Sequence, residues 1–87
     1  MLTFSIVRIA WKGVLNMIYS YNKLWKLLID KKMKKKDLMA VTDINASTMA
    51  KMGKDLPVSM EVLGRICKAL NCDVGDIVEM IPEIDKQ

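Results

Sequence analysis

From Tyr21 onward, apolar residues recur at the spacing of one helical face. Leu24, Leu27 and Leu28 fall at i, i+3 and i+4, with lysines mostly on the other side. Asn22 is placed to cap the start of this first helix. Its end is expected near Lys31 or Lys32, where cations complement the negative end of the helix dipole. Met33 should then drop from the link into the core. A second short helix is predicted from about Lys35 to Val41, with Leu38 and Met39 facing inward. Thr42-Asp43-Ile44-Asn45 breaks the pattern. Asn45 then has the position of an N-cap for a third helix, Ala46 to about Met52, anchored by Met49 and Met52. Gly53 and the segment Asp55-Leu56-Pro57 end it.

Ser59 is expected to cap a fourth helix, whose stripe of Val62, Leu63, Ile66, Cys67 and Leu70 is the best formed in the chain. After a turn at Asn71–Asp73, the residues Val74, Ile77, Val78 and Ile81 predict a short fifth helix that stops at Pro82. The beginning of the chain differs. Leu2, Phe4 and Ile6 alternate with Thr3, Ser5 and Val7, a weak strand signal within residues 1–16. The expected organisation is an N-terminal extension over 1–20, a helical domain over 21–82 and an acidic tail over 83–87. Lys12-Gly13-Val14 can be encoded by purine-rich codons resembling a ribosome-binding site shortly before Met17. That offers Met17 as an alternative start, with residues 1–16 as read-through. The fold class expected is all-α, with five helices and a short N-terminal extension that can form a strand.

Charge changes this picture more than composition does. At 87 residues, 52% hydrophobic and 28% charged, the chain has room for one small globular domain. Its net charge of +4 is unevenly spread. Lys23 to Lys36 holds seven lysines and one acid, whereas Asp73 to Gln87 holds five acids and one lysine. A basic front with an acidic rear suits a polyanion on one side only. Lys31–Lys36 beside two short helices suits phosphate binding, whereas Lys23 and Lys26 read as plain solvent-face lysines.

Other chemistries are poorly supplied. Histidine is absent, which removes the commonest general base and the commonest zinc ligand together. Cys67 and Cys72 lack the further ligands that a zinc site within one chain needs, and are expected to be small packed thiols. No paired-carboxylate, phosphate-loop or metal spacing is visible, so the expectation is a protein that is not an enzyme and takes no cofactor or small-molecule ligand. The apolar start is interrupted by Arg8 and Lys12, too short to span a bilayer, and lacks an export leader. A cytoplasmic location is expected.

Two short helices joined by three or four residues have the geometry of a helix-turn-helix, in which the second helix enters the DNA major groove. That helix would expose Ala46, Ser47, Thr48, Lys51 and Lys54. Ser47 and Thr48 are short enough to let the backbone approach base edges, and Lys51 has the reach for guanine O6 and N7. Ser47 is equally suited to capping. Trp11 and Trp25 suit an interface, although Trp25 beside the first stripe is more simply packing.

The stretches Met33-Lys34-Lys35-Lys36-Asp37-Leu38, Ile44 to Met52, Pro57-Val58-Ser59 and Leu63 to Leu70 together resemble the Cro/C1-type (Xre-like) helix-turn-helix family. The resemblance spans Leu27 to Ile77. It implies a compact helical fold, sequence-specific duplex binding and commonly a two-fold homodimer on a palindromic operator, as in a repressor. Carried over by position, it places Lys34, Lys35, Lys36, Asn45, Ala46, Ser47, Thr48, Lys51 and Lys54 at the DNA. Lys35 stands where the family has a glutamine, which favours phosphate over adenine there. Met39 replaces a small alanine, Gly53 a glutamate, and Asp43 the turn glycine, so Asp43 should adopt a left-handed backbone. The expected function is a transcriptional regulator. A protein-interaction module, such as an antitoxin or an accessory regulator subunit, is the alternative, favoured by the apolar N-terminal stretch.

Overall fold

The computed structural model describes residues 14–84. Among them the order is a strand β1 (Val14–Ser20), helices α1 (Asn22–Asp30), α2 (Lys35–Thr42), α3 (Ala46–Gly53) and α4 (Met60–Leu70), a 3-10 turn (Val74–Asp76) and a strand β2 (Glu79–Ile84). The strand signal read at Leu2, Phe4 and Ile6 lies outside the described residues.

The stops of α2 and α4 have a local cause. Asp43, at the end of α2, takes φ 57° and ψ 36°, the left-handed backbone expected of it. Asn71 does the same after α4, with φ 53° and ψ 56°. At the other ends, the Asn45 side chain accepts from the Thr48 N–H at 2.8 Å and the Ser59 hydroxyl accepts from the Val62 N–H at 3.2 Å. The α1 start differs from expectation: the cap position is Tyr21, with no side-chain cap, and Asn22 is already helical. The Asn22 N–H instead donates to Ser20 Oγ at 3.3 Å.

The four helices close over a core of Tyr21, Leu24, Leu28, Leu38, Ile44, Met49, Met52, Leu63, Ile66, Leu70 and Ile77. Leu24, Leu38, Met52, Ile66 and Ile77 are fully buried. At roughly 1.5–3 kcal/mol for each large apolar side chain removed from water, this cluster is the main force holding such short helices in place. Tyr21 pins the sheet end to the helices. Its hydroxyl donates to the Leu56 carbonyl at 2.7 Å, and its N–H donates to Asp55 Oδ1 at 3.3 Å.

The fifth helix predicted from Val74 to Ile81 does not form. Asp73 accepts from the Val74 N–H at 2.7 Å and donates its own N–H to Asp76 Oδ2 at 2.9 Å, which closes one 3-10 turn. That turn puts Ile77 into the core, and the chain then extends. β2 pairs antiparallel with β1 in the register Ser20–Glu79, Tyr19–Met80, Ile18–Ile81, Met17–Pro82 and Asn16–Glu83, with an irregularity before Asn16. The sheet supplies long-range hydrogen bonds that a helix over Glu79–Ile81 would forgo. The apolar spacing fits a helix and a turn-plus-strand alike, and only the partner strand decides between them. The fold is thus mostly helical with a two-stranded sheet joining the two ends of the described chain.

Candidate nucleic-acid interface

Helices α2 and α3 are joined by Asp43, Ile44 and Asn45. Ile44 is buried and carries the link into the core, while Asp43 provides the sharp reversal. Met49 and Met52 face inward from α3. The opposite side of α3 therefore presents Ala46, Ser47, Ala50 and Lys51 to solvent, with Thr48 half-buried at its edge. Thr48 and Lys51 form one wall of a cleft of about 300 Å³, completed by Pro57, Val58, Ser59 and Val62 at the start of α4.

Lys34, Lys35 and Lys36 are all exposed at the N-terminal end of α2. The Lys34 N–H donates to Asp37 Oδ2 at 2.9 Å, so Asp37 caps the helix and leaves the Lys34 ammonium outside it. Lys35 turns toward α1, with Nζ 4.3 Å from the centroid of the Trp25 ring. A Cβ built on Gly53, the last residue of α3, would lie 3.9 Å from the same Nζ. The Lys35 ammonium therefore sits between the Trp25 ring of α1 and the end of α3. Lys54 is exposed at the cap following α3.

Among the described residues the salt bridge present is Arg65–Glu61, at 2.8 Å on α4, and none of these lysines takes part in one. Their charge is left to the solvent and to any anion placed there. The structure brings Ala46, Ser47, Thr48 and Lys51 together on one helix, with Asn45 at its cap and Lys54 at its end. Lys34, Lys35 and Lys36 form a separate group on α2. Sequence reasoning missed the role of Trp25 as the resting place for Lys35. The tryptophan packs against the core, as expected of it, and its ring is also held under the ammonium.

No group of three or more potential metal ligands occurs among the described residues. No helix among them is long and apolar enough to cross a membrane. Cys67 and Cys72 are free and half-buried at the end of α4, where the Cys72 N–H donates to the Cys67 carbonyl at 3.0 Å. Burial, then the neighbouring Cys67, push the Cys72 thiol above its ordinary value of 9.0.

Comparison with known proteins returns the same architecture. A family model described as a Cro/C1-type HTH DNA-binding domain matches residues 23–83. The crystal structure of the transcriptional regulator VanUg, form II, is similar at 57% sequence identity and a TM-score of 0.75. That match covers 77% of this chain and 89% of the VanUg chain. No match is found among curated proteins.

Proposed function

The chain belongs to the Cro/C1-type helix-turn-helix DNA-binding domain family, and on that premise we propose that it is a sequence-specific transcriptional regulator that reads double-stranded DNA with α3 in the major groove. The observation that carries this reading is the face of α3. It is small and polar at Ala46, Ser47 and Thr48, tipped by Lys51, and anchored from behind by buried Met49 and Met52. A helix fixed this way presents short side chains close to base edges, and a lysine with the reach for guanine. Lys34, Lys35, Lys36 and Lys54 meet phosphates on either side and set affinity and register without reading bases. Asn45 orders the first turn of α3 and lies at the groove edge. Two copies on an inverted repeat would place two such helices about one turn, roughly 34 Å, apart. The protein acts by occupying its site on the duplex.

The test is selection of bound duplexes from a random-sequence library at physiological salt. The wild type is compared with a Ser47/Thr48/Lys51 triple-alanine variant. Enrichment of a short inverted repeat by the wild type, lost in the variant, is the expected result. No enrichment by either protein would overturn the reading and turn the search toward a protein partner.

A further inference from the structure

Among the described residues the sheet has two strands, which leaves it two open edges, and in water such a pair is marginal by itself. The edges of this sheet are unequal. Pro82 has no N–H, so the Met17–Pro82 pair cannot exchange ladder hydrogen bonds. The β1–β2 bonds must then fall on the neighbouring pairs, Ile18–Ile81 and Asn16–Glu83, as antiparallel pairs alternate. The N–H and carbonyl groups of Met17 and Tyr19 are consequently turned to the outer edge of β1. The Met17 N–H does lie outside the ladder: it donates to the exposed Asn16 side chain, Oδ1, at 2.9 Å.

We propose that this outer edge of β1 is where two copies of the chain meet, the strands pairing antiparallel about a two-fold axis with Ile18 opposite Ile18 of the second copy. In that register Met17 and Tyr19 of one copy exchange backbone bonds with Tyr19 and Met17 of the other. Asn16 falls opposite Ser20. No charged residue faces another. The same operation on β2 fails on both counts: Pro82 withholds a donor, and Glu79 is brought opposite Glu83, a like-charge pair that opposes association.

Surface chemistry agrees with a second copy as occupant. The register puts Met17, Tyr19, Met80 and Pro82 on one sheet face. Met17 is 37% and Met80 50% exposed, and Met60, 72% exposed, continues the face from α4. An apolar groove of about 330 Å³ opens beside them, lined by Tyr19, Tyr21, Val58, Met60, Val74 and Met80 among others. Together these form one contiguous exposed apolar patch beside the strand pair, the kind of surface that marks a protein contact. The inference rests on the DNA-reading proposal only for the need of two copies on an inverted repeat.

The experiment uses the full chain without DNA. Sedimentation equilibrium of the wild type should give a dimer at micromolar concentration. Ile18→Cys should form a cross-linked dimer with oxidised glutathione, because facing residues in a non-hydrogen-bonded antiparallel pair have Cα atoms about 4.5 Å apart, within disulfide reach. The wild type, with Cys67 and Cys72, and an Asn16→Cys variant, which sits out of register with itself, should not cross-link. Met17→Pro, which removes one outward donor and leaves the β1–β2 ladder, should sediment as a monomer. A monomeric wild type, with the apolar face covered by the chain's own residues 1–13, would overturn the proposal. So would a dimer in which Ile18→Cys fails to cross-link and Met17→Pro stays dimeric. A β1 dimer that selects no DNA sequence defeats the functional reading alone, and a monomer that selects a single half-site defeats this inference alone.

Discussion

Lys35 Nζ lies 4.3 Å from the centroid of the Trp25 ring, so the cation that the family position assigns to DNA is held against an aromatic face of another helix. Such a contact at a partly exposed site is worth about 0.5–1 kcal/mol. That is enough to narrow the ammonium's positions and too little to keep it from a phosphate. Lys35→Ala should therefore weaken binding to all duplexes nearly equally and reduce the slope of log affinity against log salt by about 0.9. Trp25→Leu should leave that slope unchanged, since no charge is lost. Titrations of both variants between 50 and 200 mM salt, roughly the range over which such binding falls steeply, make the comparison. A loss confined to one sequence would move Lys35 from phosphate to base.

Asn45 separates capping from contact. Its Oδ1 accepts from the Thr48 N–H at 2.8 Å, and its side chain is exposed. Asn45→Ala should cost about 1 kcal/mol of stability, lowering Tm by roughly 4–8 °C in a domain of this size. Asn45→Asp retains the acceptor and should recover most of that stability, while adding a negative charge beside the phosphates. Thermal melts and DNA titrations of the two variants should consequently rank them in opposite order. Loss of Tm in both would show that the cap is not what Asn45 contributes.

Much of this arrangement was legible because its causes are local. The stripes of Leu24–Leu28 and Val62–Leu70, the caps at Asn45 and Ser59, and the left-handed Asp43 depend on residues within one or two turns, and each is where the spacing places it. The helix expected from Val74 to Ile81 does not form because the state of that segment is decided by a partner some sixty residues away in sequence, β1, which begins beyond the alternation at Leu2, Phe4 and Ile6 that carries the strand signal. Asn22 was misread for a related reason: Tyr21 is fixed by Asp55 and Leu56, which shifts the helix start. The site divides the same way. The exposed face of α3 follows from helical period alone. The Lys35–Trp25 contact needs α1 and α2 to be packed first, and no short-range pattern announces it.

Tyr21 gives the fold an alkaline limit. Burial pushes its phenol above the ordinary value of 10.0, and the hydroxyl is a donor to the Leu56 carbonyl. A raised folded value means that the native state favours the protonated form. The resulting stability is complete below pH 10.0 and is lost as the pH rises through the folded value. Cys72 acts in the same direction from its ordinary 9.0. Urea midpoints should thus hold steady from neutral pH to about 9 and fall above it. Tyr21→Phe should lose about 1 kcal/mol at neutral pH, the worth of one hydrogen bond, and show a shallower alkaline fall. An unchanged alkaline limb would place its origin elsewhere.

Lys51 tests base reading itself. It is exposed on α3, beside the Thr48–Ser59 cleft, and free of any salt bridge among the described residues. Lys51→Ala should relax discrimination at one base pair per half-site by about 1–3 kcal/mol. The neighbouring positions of the selected motif should keep their preference. Equal loss across all sequences, as expected for Lys35→Ala, would show instead that Lys51 meets phosphate.

Gly53 is the position where stability can be raised. It ends α3 with ordinary negative φ, so no left-handed backbone requires a glycine there. A Cβ would meet nothing nearer than Lys35 Nζ at 3.9 Å, an ordinary contact with the far end of a flexible chain. The folded state therefore accepts alanine without strain, while the unfolded chain loses freedom. Gly53→Ala should stabilise the domain by about 0.4–1 kcal/mol, read as a rise in Tm of a few degrees. The methyl group also sits beside the ammonium that rests on Trp25, so the variant examines whether that resting place is tight. A lower Tm would mean that Lys35 cannot give way, and the contact between α1, α2 and the end of α3 would then be more rigid than a solvent-exposed lysine implies.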